Sequence, residues 1–175
     1  MALTDNHFVL FDLPVSFEVD KQHLADTYRQ LQSEYHPDRF ATESDEKRRF
    51  AQQTAAQINE AYQTLKQPLA RGRYLLAIKG TPIDDAQNPN MDTSFLMHQL
   101  ELREKLDLLP QHSHAIDELD DFMENIEKDI AELVTAISHH FAMDALESAK
   151  STIYKLHFLN RLHQDALALE EKLDD

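Results

Sequence analysis

Between Ile116 and Ile137 large apolar residues recur at alternating spacings of three and four: Ile116, Leu119, Met123, Ile126, Ile130, Leu133 and Ile137. At about 100° per residue, this spacing gathers the seven side chains along one side of an α-helix, as a seam of the coiled-coil type. A helix with such a seam needs partners to cover it. Short polar breaks at Pro110–Ser113 and Ser138–Asp144 separate this helix from helical patterns on either side. Connections that short imply antiparallel neighbours, so a three-helix bundle is expected over 92–175. With only 2 Gly and 6 Pro against 42% apolar residues, the chain is poor in tight-turn residues and rich in helix formers. The expected fold class is all-α.

The first 79 residues carry a different helical plan. A short apolar segment, Phe8–Leu13, is stopped by Pro14. From Asp20, a suitable N-cap, Leu24, Tyr28, Leu31 and Tyr35 recur at spacings of 4, 3 and 4, and Pro37 ends this helix at His36. After a polar loop, 41–45, a second helix runs to about Lys66 with Ala51, Thr54, Ile58, Ala61 and Leu65 on one face. These two helices are expected to pair antiparallel. Pro68 opens a shorter helix through Leu69, Tyr74, Leu75 and Ile78, and Gly80 and Pro82 terminate it. Residues 80–91 have the composition of a linker between two domains, 1–79 and 92–175.

The net charge is −15, divided very unevenly: Met1–Lys79 holds 10 Lys and Arg against 11 Asp and Glu, and Gly80–Asp175 holds 7 against 21. A field of that sign repels nucleic-acid phosphates and anionic lipid, so neither is an expected partner. There is no Cys, which removes disulfides, thiolate nucleophiles and Cys-rich metal frameworks. Of the ten His, only His112/His114 and His139/His140 lie close together, and neither pair has the i, i+4 spacing of two ligands on one helix face. No nucleophile motif or Gly-rich phosphate loop is present, so an enzyme, a bound metal or a cofactor is not expected. No apolar run approaches the roughly 20 residues that span a bilayer. Met1–Asp12 lacks the features of a secretory leader or transit peptide, and a cytoplasmic protein is expected.

His36-Pro37-Asp38 falls at the tip of the expected helical hairpin. Pro stiffens the loop, while His and Asp supply a donor and a charged acceptor that no helix consumes. The same three residues also suit a plain helix end, with Asp capping the turn. The wider context narrows the choice. Leu31–Phe40, reading LQSEYHPDRF, and Ile58–Leu65, reading INEAYQTL, resemble the J-domain of DnaJ-like co-chaperones. That resemblance implies that His36, Pro37 and Asp38 engage a DnaK-type chaperone and promote its ATP hydrolysis without being catalytic themselves. It further implies docking of basic residues on an acidic chaperone surface. Lys21, Arg29 and Arg39 are the candidates, with Lys47, Arg48 and Arg49 nearby, although Glu34 stands where many relatives are basic.

Thr93–Leu109 holds too many large apolar residues for one stripe. Phe95, Leu102, Leu106 and Leu109 point within roughly 40° of one direction, whereas Leu96, Met97, Leu100 and Leu108 point about 100° to 220° away, beside Glu101 and Glu104. This second face either docks on the other half of the chain or stays open to a partner. In the last helix, Ile153, Leu156 and Leu167 share a seam while Phe158 projects about 200° from Leu156. Phe158 is then either an interface anchor or a satellite contact of Tyr154 and Leu162.

Phe95–Glu104, reading FLMHQLELRE, and Lys155–Leu159, reading KLHFL, are similar to the HscB family of J-proteins of iron–sulfur biogenesis. With the J-domain motifs, the resemblance covers nearly the whole chain. It implies that Leu96, Met97, Leu100, Glu101, Glu104 and Phe158 contact an IscU-like cluster scaffold, and that the J-domain acts on an HscA-like chaperone. His98 stands where the resemblance leads one to expect an acid. The expected function is therefore that of a co-chaperone joining scaffold to chaperone; the alternative is a general J-protein presenting unfolded clients to DnaK.

Overall fold

The computed structural model describes residues 6–84 and 92–174. All regular structure among them is helical, and the chain divides into two compact units between Pro82 and Ile83. The proposed linker, 80–91, includes residues 85–91, which lie outside the described residues.

In the first unit, α1 (His7–Leu10) is capped by Asn6, whose side chain accepts from the Phe8 amide, and stops well before Pro14. Phe8 and Phe11 are fully buried, and Phe17, which no periodic pattern marks, is buried with them. The Asp20 carboxylate caps α2 (Lys21–Glu34) by accepting from the Gln22 and His23 amides at 2.9 Å each. Leu24, Leu31 and Tyr35 are buried along it. A single 3-10 turn, Pro37–Phe40, leads to α3 (Asp45–Lys66), where Ser44 is the N-cap and Asp45 and Glu46 complement the helix dipole.

The stripe Ala51, Thr54, Ile58, Ala61 and Leu65 is buried in full, as its spacing predicts. Tyr28 of α2 stacks on Tyr62 of α3 with centroids 3.9 Å apart, and its hydroxyl donates to Asn59 Oδ1 at 2.8 Å. Gln32 Nε2 donates to both groups, so a polar ladder joins the two helices beside their apolar seam.

Pro68 opens α4 (Pro68–Ile78) at its first position, where no amide proton is needed. Its buried residues are Arg71, Gly72, Leu75 and Leu76, while Ile78 is exposed. Arg71 is the charged member of that set. Its guanidinium lies 4.8 Å from the centre of the Phe17 ring and donates to the Leu65 carbonyl, satisfying the end of α3 from inside. Gly80 takes φ +82° beyond α4. There the Thr81 amide reaches back to the Leu76 carbonyl at 2.9 Å, a helix stop that favours glycine.

His7 stacks on Tyr74 (centroids 4.3 Å, 10° between planes), and its Nδ1 is buried with no hydrogen-bond partner among the described residues. Burial lowers its pKa, partly opposed by Glu60. The unfolded chain therefore takes up the proton first, and the native state loses stability as pH falls below the ordinary imidazole value of 6.5. The denaturant midpoint is expected to drop between about pH 7.5 and pH 5.5, and to drop less in His7→Phe. Equal slopes for the two proteins would refute the assignment.

The second unit contains α5 (Thr93–Leu108), a 3-10 turn (Leu109–Gln111), α6 (Ala115–Ala142) and α7 (Leu146–Asp174). Its core holds Leu106, Leu109, Leu119, Phe122, Ile126, Leu159, Leu162 and Ala166, with Leu102, Met123, Ile130, Leu133, Phe158, Leu169 and Leu173 packed against it. Ion pairs Asp92–Lys155 and Arg103–Asp165 rise together along α5 and α7, so these helices run parallel and α6 runs against both. His112 bonds Glu118 at 2.7 Å across the turn between α5 and α6.

Three expectations are corrected in this unit. On α6, Phe122 is fully buried where the seam names Met123, and Ile116 is 47% exposed. A helix flanked by two neighbours buries a wider arc than a two-residue seam, and Phe122 lies on the α5 side beneath the Lys105 ammonium, 5.5 Å from its ring centre. The expected break at Ser138–Asp144 is shorter, because α6 continues to Ala142 and turns only at Met143–Ala145, where Asp144 takes φ +54°. On α7, Leu167 is only half-buried; Leu159, Leu162 and Ala166 occupy the core beyond Ile153 and Leu156.

Candidate functional site

Two surfaces stand out, one on each unit. The first is the tip between α2 and α3. His36, Pro37, Asp38 and Arg39 are all exposed. His36 is itself the N-cap of the 3-10 turn: its Nδ1 accepts the Asp38 amide proton at 3.3 Å. This corrects the expectation that no helix consumes the ring, and equally the alternative in which Asp38 is the cap. With Nδ1 occupied as an acceptor, the neutral ring carries its proton on Nε2, an outward hydrogen-bond donor. The Asp38 carboxylate is 91% exposed and lies 3.7 Å from Nδ1. Arg39 donates to the Ser33 carbonyl at 3.2 Å, pinning the turn to the last turn of α2. The turn is thus fixed from both sides while its polar groups face outward.

Lys21 and Arg29 are exposed on α2, and Arg29 pairs with Asp26. Lys47 pairs with Glu43 at 2.8 Å and Arg48 with Asp45, so much of the local positive charge is matched within the unit. Sequence reasoning passed over Phe50. It is 40% exposed, edge-on to the buried Tyr35 at 6.5 Å, and lines a shallow groove with Asp45, Glu46, Arg49 and Gln53. The available signal was an aromatic one residue off the buried α3 stripe, level with the tip.

The second surface is the outer face of α5. Leu96, Met97 and Leu100 are 49%, 61% and 60% exposed, with Leu108 exposed farther along. Glu101 and Glu104 are exposed beside them, and His98 Nδ1 lies 3.8 Å from Glu101 Oε2. The inner face is as expected: Leu106 and Leu109 are buried, Phe95 and Leu102 half-buried. Phe158 does not project freely. It is half-buried against the core and meets Phe95 near-perpendicularly, with ring centroids 6.0 Å apart. Its expected neighbour Leu162 is a core residue. Phe158 therefore sits beside Phe95 of the first turn of α5, partly open to solvent.

Among the described residues, no three His, Asp or Glu side chains are grouped to hold a metal ion, and no helix is long and apolar enough to cross a membrane. What the two surfaces offer is recognition: directional hydrogen bonds at a rigid tip, and apolar area rimmed by carboxylates on α5.

Comparison with known proteins agrees with both halves. Residues 12–74 match the family model described as DnaJ domain, and residues 91–166 the model described as HSCB C-terminal oligomerisation domain. The chain is 42% identical over 168 residues to a co-chaperone protein HscB homolog of Aliivibrio fischeri, covering 96% of this chain and 98% of that one. The homolog of Aeromonas salmonicida is 44% identical over the same span. Among solved structures, chaperone HscB from Vibrio cholerae superposes with a TM-score of 0.89 at 38% identity, covering 96% of this chain and 99% of that one. Human co-chaperone protein HscB gives 0.89 at 30% identity, covering 97% and 84%. The chain belongs to the HscB family of J-domain co-chaperones.

Proposed function

We propose that this protein works in the cytoplasm as an adaptor of iron–sulfur cluster biogenesis. It holds an IscU-like scaffold on the α5 face and stimulates ATP hydrolysis by an HscA-like, DnaK-type chaperone through the J-domain tip. The observation that carries the reading is the presence, on two separate compact units, of an exposed His36-Pro37-Asp38 turn and an exposed, Glu-rimmed apolar face.

In this reading residues 1–79 are the chaperone-binding arm. His36, Pro37 and Asp38 make the directional contacts, and Lys21, Arg29 and Arg39 supply steering that weakens with salt. Residues 92–175 are the scaffold-binding arm. Leu96, Met97, Leu100 and Phe158 contribute apolar burial, on the order of 1.5–3 kcal/mol for each side chain fully covered, and Glu101 and Glu104 select a partner with a basic rim. A general J-protein would need a surface that accepts many unfolded chains; the narrow, acid-edged face favours one folded client.

Because stimulation by scaffold-bound adaptor needs both arms in one molecule, the two defects are not expected to complement each other. A mixture of His36→Gln protein with Leu96→Ala/Phe158→Ala protein should give no scaffold-dependent rise in chaperone ATPase rate, whereas either one mixed with wild type should. Restoration by the mixture of variants would show that the arms work separately and would end the adaptor reading.

A further inference from the structure

Four residues make a square at the start of α5. Asp92 and Phe95 lie three apart on α5 and its cap, and Lys155 and Phe158 lie three apart on α7. The Asp92 carboxylate accepts from the Phe95 amide at 2.8 Å and from the Ser94 hydroxyl, closing the first turn. The Lys155 ammonium stands 3.6 Å from that carboxylate and 5.1 Å from the centre of the Phe95 ring, and Phe95 in turn meets Phe158. One cation thus touches the helix cap and the aromatic that follows it. Lys155 is half-buried and does not belong to the exposed face.

We infer that Lys155 is a positioning residue for client docking: it staples the first turn of α5 to α7, so that Leu96, Met97 and Phe158 are presented as one preformed surface. The inference rests on the scaffold-docking reading above and adds to it a residue outside the docking face. Helix ends fray unless tied down, and here the open face begins in the first turn, directly after Phe95. Partners that dock on a frayed turn must order it first, which lowers affinity. Hydrogen bonds from Ser94 and the Phe95 amide, with the nearby Lys155 charge, also hold the Asp92 carboxyl below the usual carboxylate range, consistent with a cap kept ionised.

The test uses full-length Lys155→Met, which keeps the aliphatic stem, Lys155→Arg, which restores the cation, and Asp92→Asn, which keeps a capping side chain but not the charge. In the free protein, amide exchange over Phe95–Leu100 should rise in Lys155→Met and return towards wild type in Lys155→Arg. Affinity for a purified IscU-like scaffold should fall about three- to tenfold in Lys155→Met, recover in Lys155→Arg, and fall no further when Asp92→Asn is added, since the two act through each other. Unchanged exchange, unchanged affinity, or fully additive losses would each overturn the assignment. Leu96→Ala/Phe158→Ala is measured alongside. If that variant binds scaffold as wild type does, it is the docking reading that fails, and the role of Lys155 in docking goes with it.

Discussion

His36→Gln is expected to remove nearly all stimulation of the partner chaperone's ATPase while leaving scaffold affinity unchanged. Both functions of the ring are disturbed together: the Nδ1 acceptor that caps the turn through the Asp38 amide is removed, and the rigid ring N–H that faces the partner is replaced by an amide on a flexible chain that does not hold its donor in place. A hydrogen bond lost at a covered interface, leaving its mate unsatisfied, costs about 1–3 kcal/mol, or roughly fivefold to more than a hundredfold in binding. The two functions separate in His36→Asn. Asn is a strong cap and should keep the turn, but it places no ring N–H outward. Loss of stimulation in both variants assigns the effect to the outward donor; activity in His36→Asn alone assigns it to the shape of the turn. Since His36 is exposed, unfolding midpoints should move little. Stimulation of wild-type size by His36→Gln would remove the tip from the mechanism.

Leu96→Ala with Phe158→Ala is expected to show the opposite pattern: scaffold binding weakened on the order of a hundredfold, with chaperone stimulation in the absence of scaffold intact. The two positions contribute differently. Leu96 is half open to solvent and is not a core residue, so its truncation should report mainly on docking. Phe158 is half-buried and braces Phe95, so its truncation also removes packing, about 1–2 kcal/mol of stability. Calorimetric scaffold binding, measured for each single variant and for the pair well below the unfolding transition, checks this. A scaffold affinity unmoved by Leu96→Ala and Met97→Ala would mean that the open face of α5 is not where the client sits.

The parts of this molecule legible in its sequence are those set within a turn or two of the chain. The α3 stripe is buried residue for residue, Asp20 caps α2, Pro68 opens α4 and Gly80 ends it. Each depends on spacing or on a cap bond reaching two to five residues, which a linear pattern contains. The second apolar face of α5 was legible for the same reason, because residues pointing 100° or more from one stripe cannot share its burial; that the face stays open was not.

Tertiary structure decided what depends on where the neighbouring helices lie. Phe122 and Met123 sit on adjacent edges of one stripe, and only the presence of α5 on the Phe122 side made it the core residue. Arg71 became a buried donor because the end of α3 and the Phe17 ring met over it. Phe158 leans on the core because Phe95, more than sixty residues away in the chain, came to rest against it. Even the tip was only half legible. Its place between two helices followed from Pro37, but which of His36 and Asp38 closes the turn was settled by a hydrogen bond whose geometry the order of residues does not specify. Periodicity determines which side chains share a face; the burial of that face, and the bonds made at its edges, depend on contacts between segments distant in sequence, whose free energy no local pattern records.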